Sequence, residues 1–117
     1  MTTMTISEFI PQVKELLDIA VRDTYTDAVV AKHVVEGLDR MYAVAPHTRY
    51  SGGAISDPVF PTATQALLAF SVTLRRRYVL GVVYFAAARC METGITDSVN
   101  LQLSQTLKQQ ADAVFAS

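Results

Sequence analysis

An all-α fold is what this sequence predicts: a small four-helix bundle with one long loop or short hairpin between helices two and three. Three observations lead there. Apolar residues recur at three- and four-residue spacing through four segments. One irregular stretch, 46–61, gathers three of the four prolines and two of the five glycines. A length of 117 residues suffices for one core but not for two.

The first helix is expected over about 7–22. Phe9, Ile10, Val13, Leu16, Leu17, Ala20 and Val21 form one stripe. Thr5 and Glu8 have capping-box spacing. Pro11 lacks an N–H and crowds the preceding turn, so the regular helix is expected to begin nearer Ile10, with Pro11 in its first turn. Asp23-Thr24-Tyr25-Thr26-Asp27 is a break rich in side chains that cap helices.

The second helix, about 27–44, buries Val30, Val34, Leu38, Met41 and Ala45. Gly37 interrupts it at a cost of about 1 kcal/mol relative to alanine, which points to close approach of another helix. Pro46 ends the segment, because the residue before a proline is pushed away from helical angles. The stretch 46–61, PHTRYSGGAISDPVFP, has a turn signal at Ser51-Gly52-Gly53. Arg49, Tyr50, Val59 and Phe60 make it too adhesive for an inert linker, and it reads as an extended or hairpin excursion.

The third helix is expected over about 62–93, with Thr62 and Gln65 as a second capping box. Its first half places Ala63, Leu67, Phe70 and Leu74 on one face; its second half is apolar nearly all round, as in a central bundle helix. Gly94 is positioned as a C-terminal cap. The fourth helix, about 96–115, is capped by Thr96 or Asp97 and carries Val99, Leu103, Leu107, Ala111 and Val114 on its buried stripe. The short Gly94-Ile95 connection implies an antiparallel pair with the third helix.

Composition narrows the function classes. Ten basic residues oppose eleven acidic ones for a net charge of −1, which argues against a polybasic nucleic-acid binder. A single cysteine, Cys90, leaves no internal disulfide, and two histidines with one cysteine are too few for a typical zinc cluster. Met1 to Thr5 lacks the basic start and apolar run of a signal peptide, so none is expected. The longest apolar run, YVLGVVYFAAA, is short of the ~20 residues a bilayer requires and is flanked by Arg75-Arg76-Arg77 and Arg89, so no membrane association is expected.

Candidate chemistry is sparse. His33 lies beside the Val30–Val34 stripe with Val29 and Gly37 at i±4, and reads as a packed boundary histidine. His47 shares its loop with Asp57. Cys90 follows Arg89 on an apolar helix and reads as a small buried filler. Neither a nucleophile elbow nor a phosphate-binding glycine loop is present. An enzyme is therefore not expected, and neither are a catalytic set, a metal or a cofactor. Arg75-Arg76-Arg77 is the most unusual local feature. On a continuous helix the three would fan around the axis at about 100° per residue, leaving one near the buried side. Its stem either passes the core to reach carboxylates of the first two helices, or it makes an inter-subunit or phosphate contact.

The order of features carries a family resemblance. Arg22-Asp23-Thr24-Tyr25-Thr26-Asp27 ends the first helix, Glu36-Gly37-Leu38-Asp39-Arg40-Met41 lies within the second, and Ala45-Pro46 closes it. Phe60-Pro61 opens a long alanine-rich helix ending in Ala86-Ala87-Ala88-Arg89-Cys90-Met91-Glu92, and Thr96-Asp97-Ser98-Val99-Asn100 starts the last. Over about residues 6–115 this resembles the head-to-tail adaptor (connector, or head-completion) proteins of tailed bacteriophages. The chain departs from the pattern at Val35-Glu36-Gly37, where an Asn-Asp-Gly-like turn is common, and in having no tryptophan.

The resemblance implies a structural subunit of the virion head–tail junction, assembled in the host cytoplasm. Such subunits form a homo-oligomeric ring, usually of twelve copies, beneath the portal protein. The ring extends the DNA channel, through which DNA passes without sequence-specific binding, and joins the next tail or nozzle component. Inter-subunit or portal contacts would fall in 46–61 and about 109–117. With the arginine run, the candidate contact residues are Arg49, Tyr50, Val59, Phe60, Arg75, Arg76, Arg77, Val114 and Phe115. The alternative expectation is a small helical interaction or regulatory module, dimerising through the third and fourth helices.

Overall fold

The computed structural model describes residues 2–17, 22–51, 54–55, 58–93 and 98–117. Its architecture is mostly helical. Strand β1 (Thr2–Thr5) leads directly into α1 (Ile6–Glu15), and α2 (Asp27–Val44) follows. A 3-10 turn (Pro46–Arg49) and the short strands β2 (Tyr50–Ser51) and β3 (Ala54–Ile55) come next. The chain then forms α3 (Thr64–Ala69), β4 (Ser71–Leu74), α4 (Arg76–Thr93) and α5 (Ser98–Ala116).

Helix α4 is the centre of the packing, with α1, α2 and α5 against it. That position follows from its composition: Tyr78, Val79, Val82, Val83, Ala86, Ala87, Ala88, Cys90 and Met91 are all buried, as the all-round apolar pattern predicts. Against α5, Gly81 meets Phe115 and Glu92 pairs with Lys108. Early residues of one helix thus meet late residues of the other, an antiparallel arrangement. Against α2, an added Cβ on Gly37 would lie 3.0 Å from the Val82 carbonyl oxygen, so the glycine lets the two backbones approach.

The start of α1 corrects one expectation. The helix begins at Ile6, and Pro11 sits inside it rather than in its first turn. The Thr5–Glu8 cap makes the early start possible. The Glu8 carboxylate accepts the Thr5 backbone N–H at 3.3 Å and its hydroxyl at 3.2 Å. The cost of the proline is borne by packing, since Ile6, Phe9, Ile10 and Val13 are buried. The helix also stops earlier than 22. Leu16 and Leu17 close a turn through i→i−3 bonds to Val13 and Lys14, and the expected Ala20 and Val21 lie outside the described residues. Thr26 caps α2 by accepting the Val29 N–H at 3.3 Å, and α2 ends at Val44 ahead of Pro46.

The expected continuous helix over 62–93 is broken. The segment divides into α3, β4 and α4, and the all-α expectation gains a two-stranded antiparallel sheet, β1 with β4, in the register Thr2↔Leu74 to Thr5↔Ser71. The reason is a local change of period. Ser71 and Thr73 are exposed while Val72 and Leu74 are buried, a two-residue alternation that suits a strand with one face on the core. Met4 supplies the matching buried residue of β1. The Thr3 and Thr73 hydroxyls meet at 3.0 Å across the strands, and the Phe70 carbonyl accepts the Ile6 N–H at 3.0 Å. The Thr62–Gln65 capping box does not form, because α3 starts after Ala63.

Stretch 46–61 contains the hairpin that was one of its two expected forms, with Tyr50 opposite Ile55 and Ser51 opposite Ala54. Gly52, Gly53 and Asp57 lie outside the described residues, as do Gly94, Ile95, Thr96 and Asp97, so the caps expected there do too. On α5 the buried stripe is rotated from the expected one. Ser104, Leu107, Ala111 and Phe115 are buried, whereas Leu103 is exposed and Val114 half-buried. No helix among the described residues is long and apolar enough to cross a membrane.

Candidate functional site

The candidate contact residues occupy different settings. In the arm between α2 and α3, the backbone of Arg49 closes the 3-10 turn and that of Tyr50 enters the β2–β3 pair. Val59 is 86% exposed, the most exposed large apolar side chain among the described residues. Its neighbour Phe60 is half-buried and packs on Phe70 with ring centroids 5.3 Å apart. Phe70 in turn adjoins the α1 start through its carbonyl. An aromatic anchor thus fixes the arm to the body while the next side chain is presented to solvent.

The arginine run is also exposed at all three positions, which corrects the expectation that one must approach the core. The helix starts at Arg76, so Arg75 stands outside it and the regular 100° fan does not span all three. The Arg75 carbonyl accepts the Tyr78 N–H at 2.9 Å. The Arg77 guanidinium donates to the Tyr78 hydroxyl at 3.4 Å and lies 5.1 Å from its ring centroid. That hydroxyl also meets His47 Nε2 at 3.2 Å, which ties the 3-10 turn to α4. No carboxylate of the first two helices pairs with the run among the described residues.

Arg76 borders an open hollow of about 550 Å³ between β1, α1 and the start of α4, together with Thr3, Met4, Glu8, Val79 and Leu80. Leu80 stands 47% exposed at its rim.

Phe115 leaves the set of candidate contacts. It is 1% exposed and lies edge-on to Tyr78, with centroids 6.1 Å apart, over the missing Cβ of Gly81. A ring locked there holds α5 to α4 and cannot reach a neighbour.

Sequence reasoning missed a polar cluster on the face shared by α2, α4 and α5. His33 is 4% exposed, as a packed histidine should be, but both ring nitrogens have partners. Nδ1 lies 3.2 Å from Glu36 Oε2, and Nε2 lies 3.3 Å from the Thr93 hydroxyl. Arg89 donates from Nε to Glu36 and from an Nη to Glu92, each at 2.7 Å. Lys108 of α5 completes the chain by pairing with the other Glu92 oxygen at 2.5 Å. Beside it, Arg40 of α2 grips Asp112 of α5 with two parallel bonds of 2.9 and 2.8 Å.

The charges in this cluster shift one another. Burial alone would raise the Glu36 carboxyl, but hydrogen bonds from Arg89 and His33 outweigh it and hold it below the usual range. Glu92 is lowered in the same way, its burial outweighed by Lys108 and Arg89. The Arg40 bonds lower Asp112. Asp39 moves up, from burial and from the Glu36 charge. A hollow of about 440 Å³ opens among Glu36, Asp39, Arg40, Phe85, Arg89 and Lys108, and its cations are committed to carboxylates in the structure. Its chemistry is that of an interhelical clamp.

The sequence did contain part of this signal. His33–Glu36 and Arg89–Glu92 are both i,i+3 pairs, a spacing that places each pair on one helix face. The Arg40–Asp112 pair spans 72 positions and has no local signature. Cys90 is fully buried, and burial with the Glu36 charge pushes its thiol up to about 12, the state of an unreactive filler. Groups of three or more His, Cys, Asp or Glu arranged to hold a metal are absent among the described residues.

No protein-family model, curated protein or solved structure matches the chain.

Proposed function

We propose that this chain is a structural subunit of a tailed-phage head-to-tail adaptor, one copy of a ring docked beneath the portal that extends the DNA channel and joins the tail. The observation that carries this reading is the arm. Phe60 anchors it on Phe70, and Val59 stands 86% exposed beside that anchor. A large apolar side chain held in water on an ordered support gains free energy by being covered, about 25 cal/mol for each Å² buried. The resemblance of the sequence to adaptor proteins implies what would cover it: a neighbouring subunit or the portal. The near-balance of ten basic and eleven acidic residues suits a channel wall, since every neutralised phosphate would add affinity and retard DNA. The role requires no reaction and no cofactor.

The test is negative-stain electron microscopy of the purified chain with and without its portal ring. A ring of subunits seated on the portal is expected. Portal rings left bare at micromolar subunit would overturn the proposal. The second reading, a dimeric interaction module, draws on Leu101 and Leu103, both exposed on α5. Light scattering that gives a stable dimer and no larger assembly on the portal would favour it.

A further inference from the structure

The β1–β4 sheet has two strands, so each strand has one unpaired edge. In an antiparallel pair, facing residues alternate between exchanging both main-chain bonds and turning those groups outward. The bond from the Ile6 N–H to the Phe70 carbonyl sets the phase. Two residues back, Met4 faces Val72 as a bonded pair, so Thr3, facing Thr73, turns its N–H and C=O away from β4. Two details agree. The Thr3 and Thr73 hydroxyls meet at 3.0 Å, as suits the closer, non-bonded pair. The Thr5 N–H, also turned outward, goes to the Glu8 carboxylate and not to Ser71.

The open edge of β1 borders the hollow of about 550 Å³. Thr2, Thr3 and Met4 line it, although successive strand side chains point to opposite faces, and no residue of β4 does. The hollow therefore opens on the edge of the strand, not on a face of the sheet. Its walls hold one charge of each sign. Glu8 uses only Oε1 in the α1 cap, and Arg76 is exposed with no carboxylate partner among the described residues. Leu80 stands exposed at the rim.

We propose that β1 is a self-pairing edge: two copies of the chain join β1 to β1 about a two-fold axis, forming a four-stranded antiparallel sheet in the order β4-β1-β1-β4. The occupant is a second copy because the edge is complementary to itself. Thr3 offers one donor and one acceptor, and placing it opposite the partner's Thr3 satisfies both at once. The same axis brings the two hollows together, so Arg76 of each copy faces the hollow that holds Glu8 of the other. A wholly acidic or wholly basic partner strand would meet a like charge on one of the walls. Covering the exposed Leu80 of each copy adds apolar burial to the main-chain bonds. The contact requires neither the portal nor Val59 and does not depend on the adaptor reading.

Sedimentation velocity of the full chain, diluted from near-millimolar to micromolar, tests it. A reversible monomer–dimer equilibrium is expected. Thr3→Pro removes the outward N–H from both copies while the β1–β4 ladder keeps its bonds. The dimer should then weaken about thirtyfold, the effect of two net hydrogen bonds, with the far-UV circular dichroism unchanged. Thr3→Val keeps the N–H, and Thr73→Pro alters the other edge of the sheet, so both should dimerise as the native chain does. Arg76→Glu and Glu8→Lys should each self-pair weakly and form a mixed dimer when combined, since each charge then meets its opposite. A native chain that stays monomeric throughout would overturn the proposal. So would a Thr3→Pro chain that dimerises undiminished, a dimer that Thr73→Pro removes, or charge variants that fail to pair when mixed. Each of these results leaves the portal experiment standing.

Discussion

Replacing Gly81 by alanine sets helix propensity against packing, and the structure indicates which wins. In an exposed helix the change gains about 1 kcal/mol. Here the new Cβ would stand 2.5 Å from Phe115 Cε1 and 3.0 Å from Cδ1 and Cζ. The ring has little freedom to retreat, being 1% exposed and lodged against Tyr78. Overpacking of this kind costs about 1–3 kcal/mol, so G81A should be neutral to about 2 kcal/mol destabilising. Phe115→Ala should cost about 3–5 kcal/mol alone, as a buried ring does. With the ring gone, adding the methyl should instead recover about 1 kcal/mol. The double-mutant cycle should therefore show a coupling of about 1–3 kcal/mol, above the few tenths expected of independent sites. Urea denaturation followed by far-UV circular dichroism measures all four proteins. If G81A stabilises the native chain as much as it stabilises Phe115→Ala, the proposed contact between α4 and α5 is wrong.

Three further outcomes are expected. Glu36, Glu92 and Asp112 are lowered in the folded state, so their ion pairs contribute fully above the unfolded carboxylate values of about 4 and lose that contribution as pH falls through the lower folded values. The urea midpoint should decline below about pH 4, and Glu92→Gln should shrink the decline, with a cost of order 1 kcal/mol at pH 7; an unchanged acid slope would count against the clamp. Val59→Asp should shift stability by less than about 0.5 kcal/mol and abolish assembly on the portal, checked by denaturation and electron microscopy together. Cys90 should resist a thiol-reactive dye at pH 8 in the native chain and label fully in denaturant; rapid native labelling would contradict its burial.

Elements defined by their own repeat were legible from the residues. The buried faces of α1 and α2, the all-round apolar α4, the Thr5–Glu8 cap and the close approach at Gly37 each follow from neighbours within a turn or two. The arm was recognisable from its prolines and glycines, and Val59 stands exposed on it. The strand β4 was misread because Leu74 also falls at helical spacing from Ala63, Leu67 and Phe70, which masks the two-residue alternation of Val72 and Leu74.

What the sequence could not settle is everything that depends on a second element. A strand exists only when paired, and the partner of β4 lies about seventy positions away at the N-terminus. Amphipathic spacing states that α5 has a buried side but leaves its rotation open, and the empty space over Gly81 drew in Phe115 rather than Val114. The polar cluster likewise needs α2, α4 and α5 in place before Arg40 meets Asp112 or Glu92 meets Lys108. Periodicity is a one-dimensional signal that reports how much surface an element must hide; which neighbour hides it is decided by shape and charge in three dimensions, and only the packed molecule carries that information.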